Sequence, residues 1–188
     1  KRPAPLDQPA RSGSTMVLDL LRLFLFPALM AYAAASDLLT MTISNRVSLA
    51  LIAGFFVLAP LSGMGAYDIM MHCAAGLSVL AVAFACFAFG WIGGGDAKVA
   101  ASTALWFGFA HLLDYLLYAS VLGGVLTLLL LQARQWPLPY RLASQPWLLR
   151  LHDKKTGIPY GIALAAGALI IYPGTAWVRA IDPTRFVF

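Results

Sequence analysis

The sequence predicts an all-α integral membrane protein with about six transmembrane helices and a short fourth span. Three observations lead there. Of the 188 residues, 61% are hydrophobic and 11% are charged, whereas a soluble domain carries about 25% charged residues. The apolar residues are gathered into runs: 27 residues between Asp68 and Asp96, 19 between Asp114 and Arg134, and 23 between Lys155 and Arg179 contain no Asp, Glu, Lys or Arg. Runs of about 18 or more such residues are long enough to cross a bilayer as helix. They also lack the polar face that a helix on a soluble core must keep.

Residues 1–15 stand apart. They hold three prolines and three positive charges and no periodicity, which predicts a disordered tail or cloning remnant ahead of a single transmembrane domain over 16–188. Six spans follow, at roughly 17–36, 47–62, 69–92, 97–110, 113–133 and 158–178. Between Val99 and Leu131 only His111 and Asp114 interrupt the apolar sequence. At about 20 residues per crossing, that stretch is too long for one helix and tight for two. Short tilted helices with a turn in 108–114 resolve it.

Six spans place the loops alternately on two sides. The 37–46, 93–98 and 134–157 loops fall together and carry Arg46, Lys98, Arg134, Arg141, Arg150, Lys154 and Lys155. Outside the tail, the other side has Arg22, Arg179 and Arg185. The positive-inside rule makes the first side cytoplasmic. The net charge of +5 is therefore a topology signal, and with no soluble domain to present a basic face, nucleic acid is not an expected partner. Membrane lipid is. Trp136, Pro137, Pro139, Tyr140, Pro146 and Trp147 stand among the arginines of 134–157, a composition suited to headgroup level.

Three polar clusters open on this cytoplasmic side. Asp37 leaves span 1 and leads into Ile43-Ser44-Asn45; Gly93-Gly94-Gly95-Asp96-Ala97-Lys98 joins spans 3 and 4; Pro159-Tyr160-Gly161 enters span 6. Each has a structural use on its own. Ser44 or Asn45 suits an N-cap, Asp96 a cap of span 4, and Pro159 a first helical turn. Together they say more. A carboxylate at membrane depth is costly and marks function, and three glycines break a helix where irregular backbone is tolerated only around a wet cavity. Asp37 and Asp96 thus predict a dyad cavity facing the cytoplasm. Two neighbouring carboxylates cannot both ionise easily and share a proton. The ionised member can take a proton from water while the other donates to a scissile carbonyl.

Competing chemistries lack their residues. Cys73 and Cys86 lie within one apolar run and form no CxxC pair, and His72, His111 and His152 fall in separate places, so neither a metal nor a cofactor is expected. A Gly-x-Ser-x-Gly elbow, a P-loop and a dinucleotide fingerprint are missing.

The order of Asp37, Ile43-x-Asn45, Gly93-x-Gly95-Asp96 and Pro159-Tyr160-Gly161 resembles the type IV prepilin peptidases, intramembrane aspartic proteases of the Gly-x-Gly-Asp class, from span 1 to span 6. The resemblance implies that Asp37 and Asp96 are the catalytic pair, that Ile43, Asn45, Gly93, Gly95, Pro159, Tyr160 and Gly161 support it, and that Lys98 is the basic residue often found after the motif. Ser44 stands where the family usually has proline. Because the CxxC insertion and methyltransferase module of larger members are lacking, the chain resembles the compact branch serving Flp or Tad pili. The implied activity is an inner-membrane endopeptidase that removes a short basic leader from a prepilin precursor at the cytoplasmic face, next to the precursor's hydrophobic helix. An archaeal-type preflagellin peptidase shares these motifs. A proton-coupled transporter using the same acids is the alternative from another class.

Overall fold

The computed structural model describes residues 13–139 and 144–181. Most of the 1–15 tail, Tyr140, Arg141 and Arg185 lie outside the described residues. Residues 13–15 already belong to the first helix. Helices are α1 (Gly13–Thr40), α2 (Asn45–Leu61), α3 (Ala66–Ala88), α4 (Gly94–Ala133), α5 (Pro146–His152), α6 (Gly161–Ile171) and α7 (Ala176–Arg179), and no strand occurs among the described residues. The stretches Thr15–Thr40, Ala66–Ala88 and Gly94–Ala133 are each long and apolar enough to cross a membrane, while α2 and 161–174 are apolar but shorter. The all-helical integral membrane class is the one the sequence predicts.

Each predicted span coincides with a helical segment, with informative differences at the ends. α1 continues past 36, so Asp37 lies within its last turn and not beyond its exit. The helix closes at Met41, whose N–H still reaches Asp37 O at 2.8 Å and whose φ of 57° then turns the chain out of the helix. Ser44 caps α2, its Oγ accepting Arg46 N–H at 3.3 Å. Its φ of −63° is the value proline imposes, about −65°, so serine here keeps the backbone of the family's usual residue. α3 stops before 92 because Gly90 takes φ 74° just past the end, a left-handed position that glycine fills without strain.

Predicted spans four and five are two arms of α4. The break is at Gly108, with φ 57° and ψ −172°, a region essentially restricted to glycine. Beyond it the arms pack together, with the Tyr115 ring 5.3 Å from that of Phe107. The break is also covered: Leu105 O accepts from His72 Nδ1 at 2.8 Å, and Trp106 O accepts from Trp177 Nε1 at 2.8 Å. Inside a bilayer an unpartnered carbonyl costs several kcal/mol, so these two side chains make the turn affordable. A Cβ at Gly108 would sit 2.9 Å from His72 Nε2.

The last predicted span, 158–178, is also interrupted. α6 ends at Ile171, a 3₁₀ turn holds Tyr172–Gly174, and α7 follows; Pro173 has no N–H to continue the ladder. Around this end an aromatic core of Phe26, Phe55, Trp106, Tyr172 and Trp177 is almost wholly buried. Trp106 Nε1 donates to Leu51 O at 2.9 Å, pinning α4 to α2. Arg22, read from sequence as a topology charge, is buried there. It pairs with Asp19 at 3.3 Å and donates to Ser62 Oγ at 2.8 Å.

Candidate active site

The opposite end of the bundle gathers the polar clusters. Asp37 is buried in the last turn of α1. Its Oδ2 accepts the Gly161 N–H at 2.7 Å, across 124 residues of sequence. That N–H belongs to the first residue of α6, where backbone donors have no partner within the helix. Pro159 has no N–H to donate, and the donor that reaches Asp37 is Gly161. A Cβ on Gly161 would lie 2.6 Å from Ile43 Cδ1 and 2.8 Å from Asp37 Oδ2; only glycine allows this approach.

Asp96 is half-buried and stands in the first turn of α4, whose N-cap is Gly93. The cap is therefore the glycine. The Asp96 carboxylate turns back toward it, and a Cβ on Gly93 would lie 3.0 Å from Asp96 Oδ2. The helix N-terminus favours negative charge there. The loops that carry the two carboxylates meet at one side chain. Ile43 lies between their loops: besides touching Gly161, its Cβ would be 3.4 Å from a Cβ on Gly95. The structure thus brings together Asp37, Asp96, Ile43, Gly93, Gly95 and Gly161.

The remaining candidates do related work at a distance. Lys98 Nζ donates to Asn45 Oδ1 at 2.9 Å, tying the start of α4 to the start of α2. Both line a groove of about 560 Å³ between α2, α3 and α4, floored by Ser48, Gly76, Ala101 and Ser102. Tyr160 packs flat on α4, so that a Cβ on Gly123 would fall 2.2 Å from its ring and hydroxyl. Pro159 is buried beside it. The expectation of a cavity floored by both aspartates meets a more closed arrangement: Asp37 is 5% exposed, with Ile43 and Gly161 packed over it. Among the described residues no three His, Cys, Asp or Glu side chains converge as metal ligands would.

One feature the sequence did not reveal lies just behind this site. Arg134 was countable only as a cytoplasmic positive charge, yet its side chain is buried at the end of α4. It donates from Nε to Leu151 O at 2.8 Å and from Nη2 to Gly157 O at 3.0 Å. No spacing or motif signals such a contact, because it depends on where α5 and the following loop dock.

The class the fold defines is an all-helical integral membrane protein. The chain belongs to the type IV leader peptidase family, whose model matches residues 24–128, a stretch that includes Asp37 and Gly93–Asp96. It is thus a membrane-embedded protease acting on peptide bonds, and its substrate is of the prepilin type. No curated protein and no solved structure matches the chain.

Proposed function

We propose that the protein is an aspartic endopeptidase that removes the basic leader of a prepilin, of the Flp class, with Asp37 and Asp96 as the catalytic pair. The observation that carries this reading is the packing of Ile43 between Gly161, which donates to Asp37, and Gly95, the neighbour of Asp96, in a chain of the leader peptidase family. The family match supports the leader peptidase class, and the resemblance of the compact motif set supports the Flp assignment. The pair shares one proton. The ionised carboxylate removes a proton from a water molecule as its oxygen attacks the scissile carbonyl. The protonated carboxyl donates its proton to the carbonyl oxygen. The carboxyl that took the water proton then gives it to the nitrogen while the other carboxylate takes back a hydroxyl proton; the C–N bond breaks, the carbonyl reforms as the leader's carboxyl, and the amine leaves with the mature chain. The positive loops, with Arg46, Lys98 and Arg150, support a cytoplasmic orientation for this end, and the family resemblance supports the inner membrane. There the leader of a membrane-inserted precursor would lie.

Co-expression with an Flp-type precursor tests this. The expected result is loss of the leader mass from the precursor, read by mass spectrometry of the membrane fraction. A precursor left at full length beside correctly inserted protein contradicts the reading.

A further inference from the structure

We infer that Arg134 is a positioning residue for Asp37, acting through the 157–161 segment; the inference rests on the reading of Asp37 as catalytic. Three observations carry it. First, Arg134 is 7% exposed. An arginine placed only to obey the positive-inside rule keeps its head in water or among headgroups, and this one does not. Its described hydrogen bonds all go to backbone carbonyls, and no ion pair to it occurs among the described residues. Burying an arginine is costly unless its donors are satisfied, so its location reflects what the donors hold.

Second, the two carbonyls are the ones that fix the approach to the site. Leu151 O belongs to the last turn of α5, where carbonyls lack a helical partner and a cation is favoured. Gly157 O lies four residues before Gly161, the residue whose N–H binds Asp37. A planar guanidinium can hold both at once; an ammonium group lacks that fixed fork.

Third, the restraints on the 157–160 segment are unevenly placed, and its Gly157 end depends on Arg134. Thr156 N–H reaches Asp153 O at 3.1 Å before it, and Ile162 N–H reaches Pro159 O at 3.4 Å after it. Tyr160 is held as well, its carbonyl accepting Ala163 N–H at 3.0 Å and Leu164 N–H at 3.1 Å and its ring packed at Gly123; the polar hold on the Gly157 end is Arg134. α5 is attached to the same unit from the other side, because Arg150 Nη1 donates to Leu39 O at 3.2 Å, two residues beyond Asp37. Releasing Arg134 therefore loosens the Gly157 end of the segment, and with it the placement of the Gly161 N–H against the carboxylate, while the rest of the bundle stays packed.

The test uses the full chain in proteoliposomes with a test precursor made of a short basic leader and an uninterrupted apolar helix. Arg134→Met, Arg134→Gln and Arg134→Lys are compared with the parent for kcat, KM, melting temperature and amide hydrogen exchange. For Arg134→Met, kcat is expected to fall about tenfold or more with KM within about twofold, the signature of misplaced catalytic groups. Exchange should rise in the peptide covering 157–163 and stay unchanged in α3 and α4. Arg134→Lys should recover part of the loss by holding one carbonyl. An Arg134→Met protein that keeps parental kcat, or that shows no faster exchange at 157–163, overturns the inference. So does equal loss in the Lys and Met variants accompanied by a general fall in melting temperature, which would make Arg134 a fold-stabilising residue alone. If the parent cleaves no precursor, the proposed function fails by itself, and the exchange measurement still decides whether Arg134 holds the segment.

Discussion

Replacing Asp37 or Asp96 with asparagine, one at a time, removes leader cleavage while the protein still inserts and melts as the parent does. Asparagine keeps the size of the side chain and a carbonyl oxygen. At position 37 that oxygen still accepts the Gly161 N–H, now 2.7 Å away, so the packing of α1 against α6 survives. What disappears is the exchangeable proton. An amide can neither take a proton from water nor give one to a carbonyl oxygen, and general acid–base contributions are worth about 10²–10⁴-fold in rate. The two groups act as a unit, so the double variant should be no slower than either single one. Quantitative mass spectrometry of released leader, normalised to membrane-inserted protein, checks this.

The second large effect is at Gly161. Alanine there would place its Cβ 2.8 Å from Asp37 Oδ2 and 3.1 Å from Asp37 Cβ, in addition to 2.6 Å from Ile43 Cδ1. The tip of Ile43 can rotate away. Asp37 cannot do so easily, since it is buried in the last turn of α1. The strain is relieved only by separating the α6 N-terminus from the carboxylate, which breaks the Gly161 hydrogen bond. A displacement of about 1 Å at reacting groups costs on the order of 100-fold in rate, and overpacking of this kind costs about 1–3 kcal/mol of stability. Gly124→Ala is the control: its Cβ would meet nothing within 4 Å, so cleavage and melting should match the parent. The Gly161→Ala rate relative to Gly124→Ala, measured on the same precursor, separates a site effect from a generic glycine effect.

The helical membrane class was legible because hydropathy requires no tertiary knowledge: uncharged runs such as 69–95 admit little else. The gathering of Asp37 and Asp96 at one end was legible through the parity of the helices between them. Details that depend on helix rotation were not. Nothing in the run around Gly108 says that one glycine will take a positive φ, or that His72 and Trp177 will cover the carbonyls beside it. The same holds for Lys98, which meets Asn45 and not an aspartate. It holds for Arg22 and Arg134, which counted as topology charges and proved buried. In each case the sequence supplies a residue type and a depth, whereas the partner is chosen by which faces of two helices meet. Pro159-Tyr160-Gly161 shows both sides of this. Its order in the chain marked it as part of the site. Yet its use is divided: Gly161 donates a backbone N–H to Asp37, and Tyr160 packs against Gly123 on α4.

If Asp37 and Asp96 form one site, one short cross-linker can span them whether or not the protein is active. Cysteine is placed at both positions in a background with Cys73 and Cys86 replaced by serine. The membrane-inserted protein is then treated with a short bis-alkylating bimane that fluoresces when it bridges two thiols. Bridging in the double-cysteine protein, and in neither single-cysteine protein, is the predicted result. Two thiols that are each alkylated by a monofunctional reagent yet never bridged would mean that the two aspartates belong to separate sites.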